Sequence, residues 1–147
     1  MNEGFIHSVE ISTIAHATDD LEKVQRALNH ILPDSLLSRQ IFDRRHMEGH
    51  HGNPIVTFEA KLTKSHDVAD FTEHFLQQLA KNDRLKVERD LDLHSDEDGN
   101  LFIRLNKQRA YLGAMELGDE DPIRVRLKFN KLKGEAKTLM RQILEME

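Results

Sequence analysis

Basic and apolar residues alternate without interruption from Ile123 to Phe129. Successive side chains of a β-strand point to opposite faces, so the apolar residues would face a core and Arg124, Arg126 and Lys128 would form a row on the outer face. Such a row of guanidinium and ammonium groups is suited to the phosphates of a polyanion. For this strand alone, a solvated face whose cations prevent edge-to-edge sheet pairing is the favoured alternative.

The charge distribution is uneven. The net charge of −5 argues against a general polyanion binder. Cations are nevertheless concentrated between residues 101 and 133, at Arg104, Lys107, Arg109, Arg124, Arg126, Lys128, Lys131 and Lys133. The acids of this region are expected in or beside one loop, at Glu116, Asp119, Glu120 and Asp121. Because charges are screened beyond about 8 Å at physiological salt, a weak, salt-sensitive basic site is workable on this acidic protein.

The densest group of metal-ligand residue types is His46, Glu48, His50 and His51. Imidazole and carboxylate suit zinc or nickel, but adjacent ligands in a loop with two glycines have no enforced geometry. The spacing also differs from the His-Glu-x-x-His helix of metalloproteases. We therefore expect no metal or other cofactor, and His50 and His51 either form hydrogen bonds within a tight loop or contact RNA phosphates.

The sequence has no glycine-rich phosphate loop, nucleophile elbow, dinucleotide fingerprint or cysteine, so we expect no enzyme activity. One tyrosine and no tryptophan leave few platforms for stacking bases. Phe102 is the one strand candidate for stacking, while Tyr111 either stacks or anchors its helical turn. Recognition of RNA by phosphate and shape therefore fits better than base reading. No apolar run is long enough for a membrane span, and a cytoplasmic location is the expectation.

Hydrophobic periodicity places these residues on elements of a single domain over residues 1–147. We predict strands over residues 5–17, 39–47, 55–63, 101–105 and 123–129, and helices over 21–31, 65–81, 107–112 and 135–146; residues 82–92 are ambiguous. This order lacks regular β-α alternation, so it predicts an α+β fold with a mostly antiparallel sheet and helices packed on one face. Lys61 and four cations of the last two strands would then share the open face, with Glu10 and Glu59 among them.

Several segments, in order along nearly the whole chain, carry a family resemblance. They are His-Ala-Thr-Asp at 16–19, Gly-His-His-Gly-Asn-Pro-Ile at 49–55, Asp-Gly-Asn-Leu at 98–101, Lys-Gln-Arg-Ala-Tyr-Leu-Gly at 107–113 and Ile-Arg-Val-Arg at 123–126. The chain resembles an archaeal family of uncharacterised RNA-binding proteins described as exosome-subunit-like, with a fold related to double-stranded-RNA-binding domains. The resemblance implies RNA binding, a role in RNA processing and no defined enzyme activity.

The sequence thus predicts a domain that binds structured RNA without chemistry. We expect Arg104, Arg124, Arg126 and Lys128 to contact phosphates, with Lys107, Arg109, His50 and His51 at the margin. The expected partners are structured RNA and an RNA-processing complex. The alternative is a protein-interaction or assembly module whose open sheet face pairs with an acidic partner or with a second copy as a homodimer. A metal-dependent hydrolase is the third interpretation.

Overall fold

The computed structural model describes residues 4–130 and 135–145, so Lys131 and Lys133 lie outside the described residues. The strands are β1 (Ile6–Ala15), β2 (Asp43–Glu48), β3 (Pro54–Leu62), β4 (Asn100–Leu105) and β5 (Ile123–Phe129). The α-helices are α1 (Leu21–His30), α2 (Asp34–Leu37), α3 (Ser65–Gln78), α4 (Lys81–Arg89), α5 (Leu91–His94), α6 (Lys107–Tyr111) and α7 (Ala136–Glu145). A short 3-10 turn, His50–Gly52, lies between β2 and β3.

The strands form one sheet in the order β2-β3-β1-β5-β4. Each neighbouring pair is antiparallel, and β1 lies in the centre between β3 and β5. This arrangement confirms the predicted α+β class with an antiparallel sheet. It also places β5, with its alternating cations, directly between the central strand and the edge strand β4.

The core lies between the inner face of the sheet and the helices. The apolar residues of β5 are buried, as are the inward residues of β1, β3 and β4. On α3, Val68, Phe71 and Phe75 recur at three- and four-residue spacing and are buried against this face. The sheet can bury only one face in this way, which leaves the other face for polar and charged residues.

Strand β1 contains a β-bulge between Ile6 and Ser8 that shifts its register against β5, so Ile6 is buried and His7 is exposed. Two other elements differ from the predicted bounds. The predicted helix to residue 81 ends at Gln78, and the ambiguous stretch after it forms α4 and α5. Strand β2 is shorter than predicted, and every residue in it is exposed, as expected for a polar edge strand.

Candidate nucleic-acid interface

The outer side chains of β4 and β5 form a compact cationic area. In the register of the two strands Arg104 is opposite Arg124, Phe102 is opposite Arg126, and Asn100 is opposite Lys128. Arg104 and Arg124 are exposed, and Lys128 is exposed at the far end of β5. The structure thus brings the four predicted phosphate-binding cations together on two adjacent strands. We call Arg104, Arg124, Arg126 and Lys128 the basic patch.

Acids neutralise part of this charge. Arg126 forms an ion pair with Glu10 of β1, whose carboxylate also lies 4.0 Å from the Lys61 ammonium. Arg104 lies 3.9 Å from the Asp119 carboxylate, a side chain that is 90% exposed. Within residues 4–130 and 135–145, Arg124 and Lys128 take part in no ion pair. The basic patch therefore retains cations that are free to meet an anion.

The outer face is divided by charge. On its other half Glu59 of β3 is opposite Asp43 of β2, while Arg45 and Lys61 provide positive charge nearby in the register. Glu10 lies between the halves, opposite both Arg126 and Lys61. The open face is therefore basic on β4 and β5 and mixed on β3 and β2.

Lys107 does not lie on the open face. Its side chain is only 8% exposed, and its Nζ donates to the Ile14 carbonyl at 2.7 Å and to the Asp121 carboxylate at 2.9 Å. Burial alone raises the pKa of Asp121, but the Lys107 ammonium and the His16 ring outweigh it and hold that pKa below its ordinary value. Lys107 therefore ties α6 to β1 and is not a free charge for phosphate.

Arg109 is also engaged by the protein. Its guanidinium donates through two nitrogens to the Glu116 carboxylate, at 3.0 and 3.2 Å. This bidentate hydrogen bond lowers the pKa of Glu116. Because Arg109 remains half exposed, its outward side is accessible, but its donors are already oriented towards Glu116.

The loop with His50 and His51 lies at the end of the β2-β3 hairpin, separated from β5 by β3 and β1. It is closed by hydrogen bonds from Gly49 N to Asn53 O at 2.6 Å and from Gly52 N to Gly49 O at 3.0 Å. The turn favours glycine at both positions, because a Cβ on Gly49 would lie 2.8 Å from the Ile55 side chain and Gly52 has a φ of +77°. The two imidazoles are exposed at a tight turn and are not part of the basic patch.

The histidine group of the β2-β3 hairpin does not bring three ligand atoms together. Among the described residues, the one group with three ligand atoms within 4.8 Å of one another is His16, Asp19 and Asp121. There the Lys107 ammonium already supplies positive charge to Asp121, and Asp19 accepts from the His16 backbone N–H at 2.8 Å. This cluster joins the end of β1 to the loop before β5, and sequence spacing did not reveal it. The available signal was the pair of segments at 16–19 and 107–113, which carry part of the family resemblance.

The two candidate stacking residues differ in their surroundings. Phe102 is 39% exposed on the outer face of β4, beside the basic patch. The Tyr111 ring packs against the core and has the Lys23 ammonium and the Arg26 guanidinium 5.8 and 5.9 Å from its centroid. Phe102 is therefore available for a ligand, while Tyr111 anchors α6 against α1.

Fold and surface together define an α+β protein with an uncovered, partly cationic sheet. The model of a family described as RNA binding matches residues 8–129, and the chain belongs to this family. An RNA-binding protein of Pyrococcus abyssi is 33% identical over 141 residues, which are 95% of this chain and 92% of that protein. Among the described residues, no helix combines the length and the apolar character that crossing a membrane requires.

Solved structures agree with this assignment. A protein from Archaeglobus fulgidus has a TM-score of 0.80 and 30% identity, covering 94% of this chain and 99% of that one. A DUF54 protein from Methanothermobacter thermautotrophicus has a TM-score of 0.74 and 30% identity, covering 96% and 99%. The predicted membership of an RNA-binding family with archaeal relatives is confirmed. The exosome-subunit-like description and the relation to double-stranded-RNA-binding domains stay predictions.

Proposed function

We propose that this protein binds structured RNA, without performing chemistry on it, through the basic patch. The proposal is supported by the family's description as RNA binding and by the relative of that name. It is also supported by the position of the patch on the open side of the sheet, where a rigid RNA double helix or stem-loop can approach. A role in RNA processing and a cytoplasmic location stay predictions from the sequence.

The pairing of Arg104 with Arg124 carries this proposal. Like charges directly opposite each other on neighbouring strands destabilise a sheet, so the pair opposes folding. A phosphate between the two guanidinium groups would relieve that repulsion and accept charge-assisted hydrogen bonds from both. A solvated face does not need two like charges opposite each other, although cations on the edge strand also discourage edge-to-edge pairing.

The net charge of −5 does not prevent binding of a polyanion at this patch. Exposed charges farther apart than about 8 Å are largely screened at physiological salt, so acids on distant parts of the protein have little effect there. Acids that touch the patch, Glu10 and Asp119, do lower its affinity. We therefore expect moderate binding with a strong dependence on salt.

Reversing two patch charges tests the proposal. Arg124→Glu combined with Arg126→Glu should lower the affinity for a hairpin RNA with a stem of about 16 base pairs by at least about a hundredfold at low salt. The measurement is fluorescence anisotropy of a labelled hairpin.

A matched control places the same charge change on the helical side. Lys81→Glu combined with Lys86→Glu changes two exposed lysines of α4 and should leave affinity nearly unchanged. Equal loss in both double variants would show that overall charge, not the basic patch, governs binding. Full affinity in the Arg124 and Arg126 double variant would refute the proposal.

A second candidate function is self-association through the open face. The acidic pair Glu59 and Asp43 on one half matches the basic pair Arg104 and Arg124 on the other, so two antiparallel copies could satisfy both. Light scattering of nucleic-acid-free protein would show a stable dimer that dissociates at high salt. A monomer at all salt concentrations would remove this candidate.

A further inference from the structure

A shallow depression of about 360 Å³ lies on the outer face within the cationic area. It is lined by side chains of three adjacent strands, including Glu10, Ser12, Phe102, Arg104, Arg124 and Arg126. A surface that binds phosphates alone needs only exposed cations. An aromatic ring and a carboxylate in the same depression therefore require a separate explanation.

Phe102 supplies a flat apolar surface. Its neighbours Leu101 and Ile103 are fully buried, so the strand is fixed while Phe102 remains 39% exposed. It is opposite Arg126 and next to Arg104. An exposed aromatic ring among arginines is suited to stack an unpaired base, while the guanidinium groups hold the phosphates on either side.

Glu10 supplies hydrogen-bond acceptors to the depression. Its ion pair with Arg126 places a carboxylate beside a guanidinium, two acceptors beside several donors. The Glu10 side chain is 35% exposed, and its other carboxylate oxygen is 4.0 Å from Lys61, beyond hydrogen-bond length. Glu10 lines the depression together with Phe102 and Arg126. Phe102 on β4 and Glu10 on β1 are two strand spacings apart, about 10 Å, which a single base can bridge.

We propose that this depression binds one unpaired guanine of a structured RNA. Phe102 stacks on the base, the Glu10 carboxylate accepts from its N1–H and 2-amino group, and Arg126 donates to O6. Adenine and cytosine present only one amino donor beside an acceptor, and uracil presents one imino donor between two acceptors, which would repel the carboxylate. This inference rests on the proposed function, because the same face must bind RNA.

Hairpin RNAs that differ in one position test the inference. One hairpin is fully paired, and four others carry a single bulged G, A, C or U in the same stem. The wild-type protein should bind the G-bulge hairpin about tenfold more tightly than the other three.

Variants of the two contact residues separate stacking from base reading. Glu10→Gln should abolish the guanine preference, although the freed Arg126 would raise affinity for every hairpin. Phe102→Ala should weaken binding of bulged hairpins by about tenfold and leave the fully paired hairpin unchanged, while Phe102→Tyr should restore stacking. Glu59→Gln, the same charge change on β3 outside the depression, should leave the preference intact.

Failure of this inference can be told from failure of the proposed function. Equal, salt-sensitive binding of all five hairpins by wild type would refute the guanine site and leave the phosphate-binding patch standing. Absence of binding to every hairpin would refute the proposed function and the guanine site together. A guanine preference that survives Glu10→Gln would also refute the assignment of Glu10.

Discussion

At the scale of single residues, the basic patch is a balance between free cations and nearby acids. Arg124 and Lys128 have no ion pair within the described residues, whereas Arg126 pairs with Glu10 and Arg104 approaches Asp119. Exposed ion pairs are individually weak, and an arriving phosphate can replace the acid. Asp119 is so exposed that its ion pair adds little to the stability of the fold, and in the proposed function its carboxylate would compete with RNA for Arg104.

Removing that acid should therefore increase RNA affinity. Asp119→Ala removes the carboxylate 3.9 Å from Arg104, and affinity for the hairpin RNA should rise by up to about fivefold at low salt. Fluorescence anisotropy against the same hairpin measures the change.

Glu73→Ala is the matched control for overall charge. Glu73 is exposed on α3, on the helical side, so this substitution removes the same charge far from the patch. It should leave affinity unchanged. An equal rise in both variants would contradict the local role of Asp119.

Residue-scale contacts also show the limits of sequence reasoning. The alternation from 123 to 129 was enough to predict that Arg124, Arg126 and Lys128 share a face, because a period of two residues is local. The engagement of Lys107 could not be predicted in this way, because its partner Ile14 lies far away in the sequence. The same holds for the pairing of Arg126 with Glu10, which depends on the order of strands.

At the scale of elements, backbone hydrogen bonds hold the acidic loop before β5 against the end of β4. Asn106 N donates to Glu116 O at 2.8 Å, and Gly118 N donates to Arg104 O at 3.0 Å. A Cβ on Gly118 would lie 2.8 Å from the Asn106 Cα, so this close approach requires glycine. The loop acids therefore lie beside the cations, and three of them contact Arg104, Lys107 and Arg109.

The start of α3 is fixed by a different ion pair. Arg39 donates to the Asp67 carboxylate at 2.7 Å, and the Asp67 side chain is almost fully buried. The hydrogen bond from Arg39 lowers the pKa of Asp67 against the opposing effect of burial. This pair ties the segment after α2 to the helix that covers β1.

The lowered pKa gives a pH-dependent prediction. Because the folded-state pKa lies below the unfolded one, the stabilisation is complete above about pH 4 and is lost as the pH falls through the folded-state value. Asp67→Asn should lower the free energy of unfolding by about 1–2 kcal/mol at pH 7. Urea denaturation should show that the difference in free energy of unfolding between Asp67→Asn and wild type is smaller at about pH 3 than at pH 7.

Glu73→Gln serves as the control on the same helix. Glu73 is exposed on α3, so its substitution should change the free energy of unfolding little at either pH. A constant difference between Asp67→Asn and wild type at both pH values would contradict the assigned role of the ionised carboxylate.

At the scale of the whole molecule, the two faces of the sheet differ in character. The inner face of the sheet and the helices bury the core, and the outer face carries charge without helical cover from the described helices. The α+β class was predictable because segments with the two-residue period of strands and segments with the helical period follow one another without regular β-α alternation. The strand order was not predictable from local patterns, yet it decides that the basic half of the face excludes β2 and β3.

Strand order also separates the segments that carried the family resemblance. The segment at 123–126 contributes to the basic patch, whereas those at 16–19 and 107–113 build the corner around Lys107 and Asp121. The segment at 49–55 closes the β2-β3 turn. The segments that carry the family resemblance therefore serve the fold as well as the outer face.

The salt dependence of RNA binding tests the central claim most directly. Four phosphate contacts by the basic patch predict that log K falls by about three to four units for each unit of log salt concentration. The Arg124→Glu and Arg126→Glu double variant should lose about two units of that slope. A slope near zero for the wild type, or the same steep slope in the double variant, would contradict binding through β4 and β5.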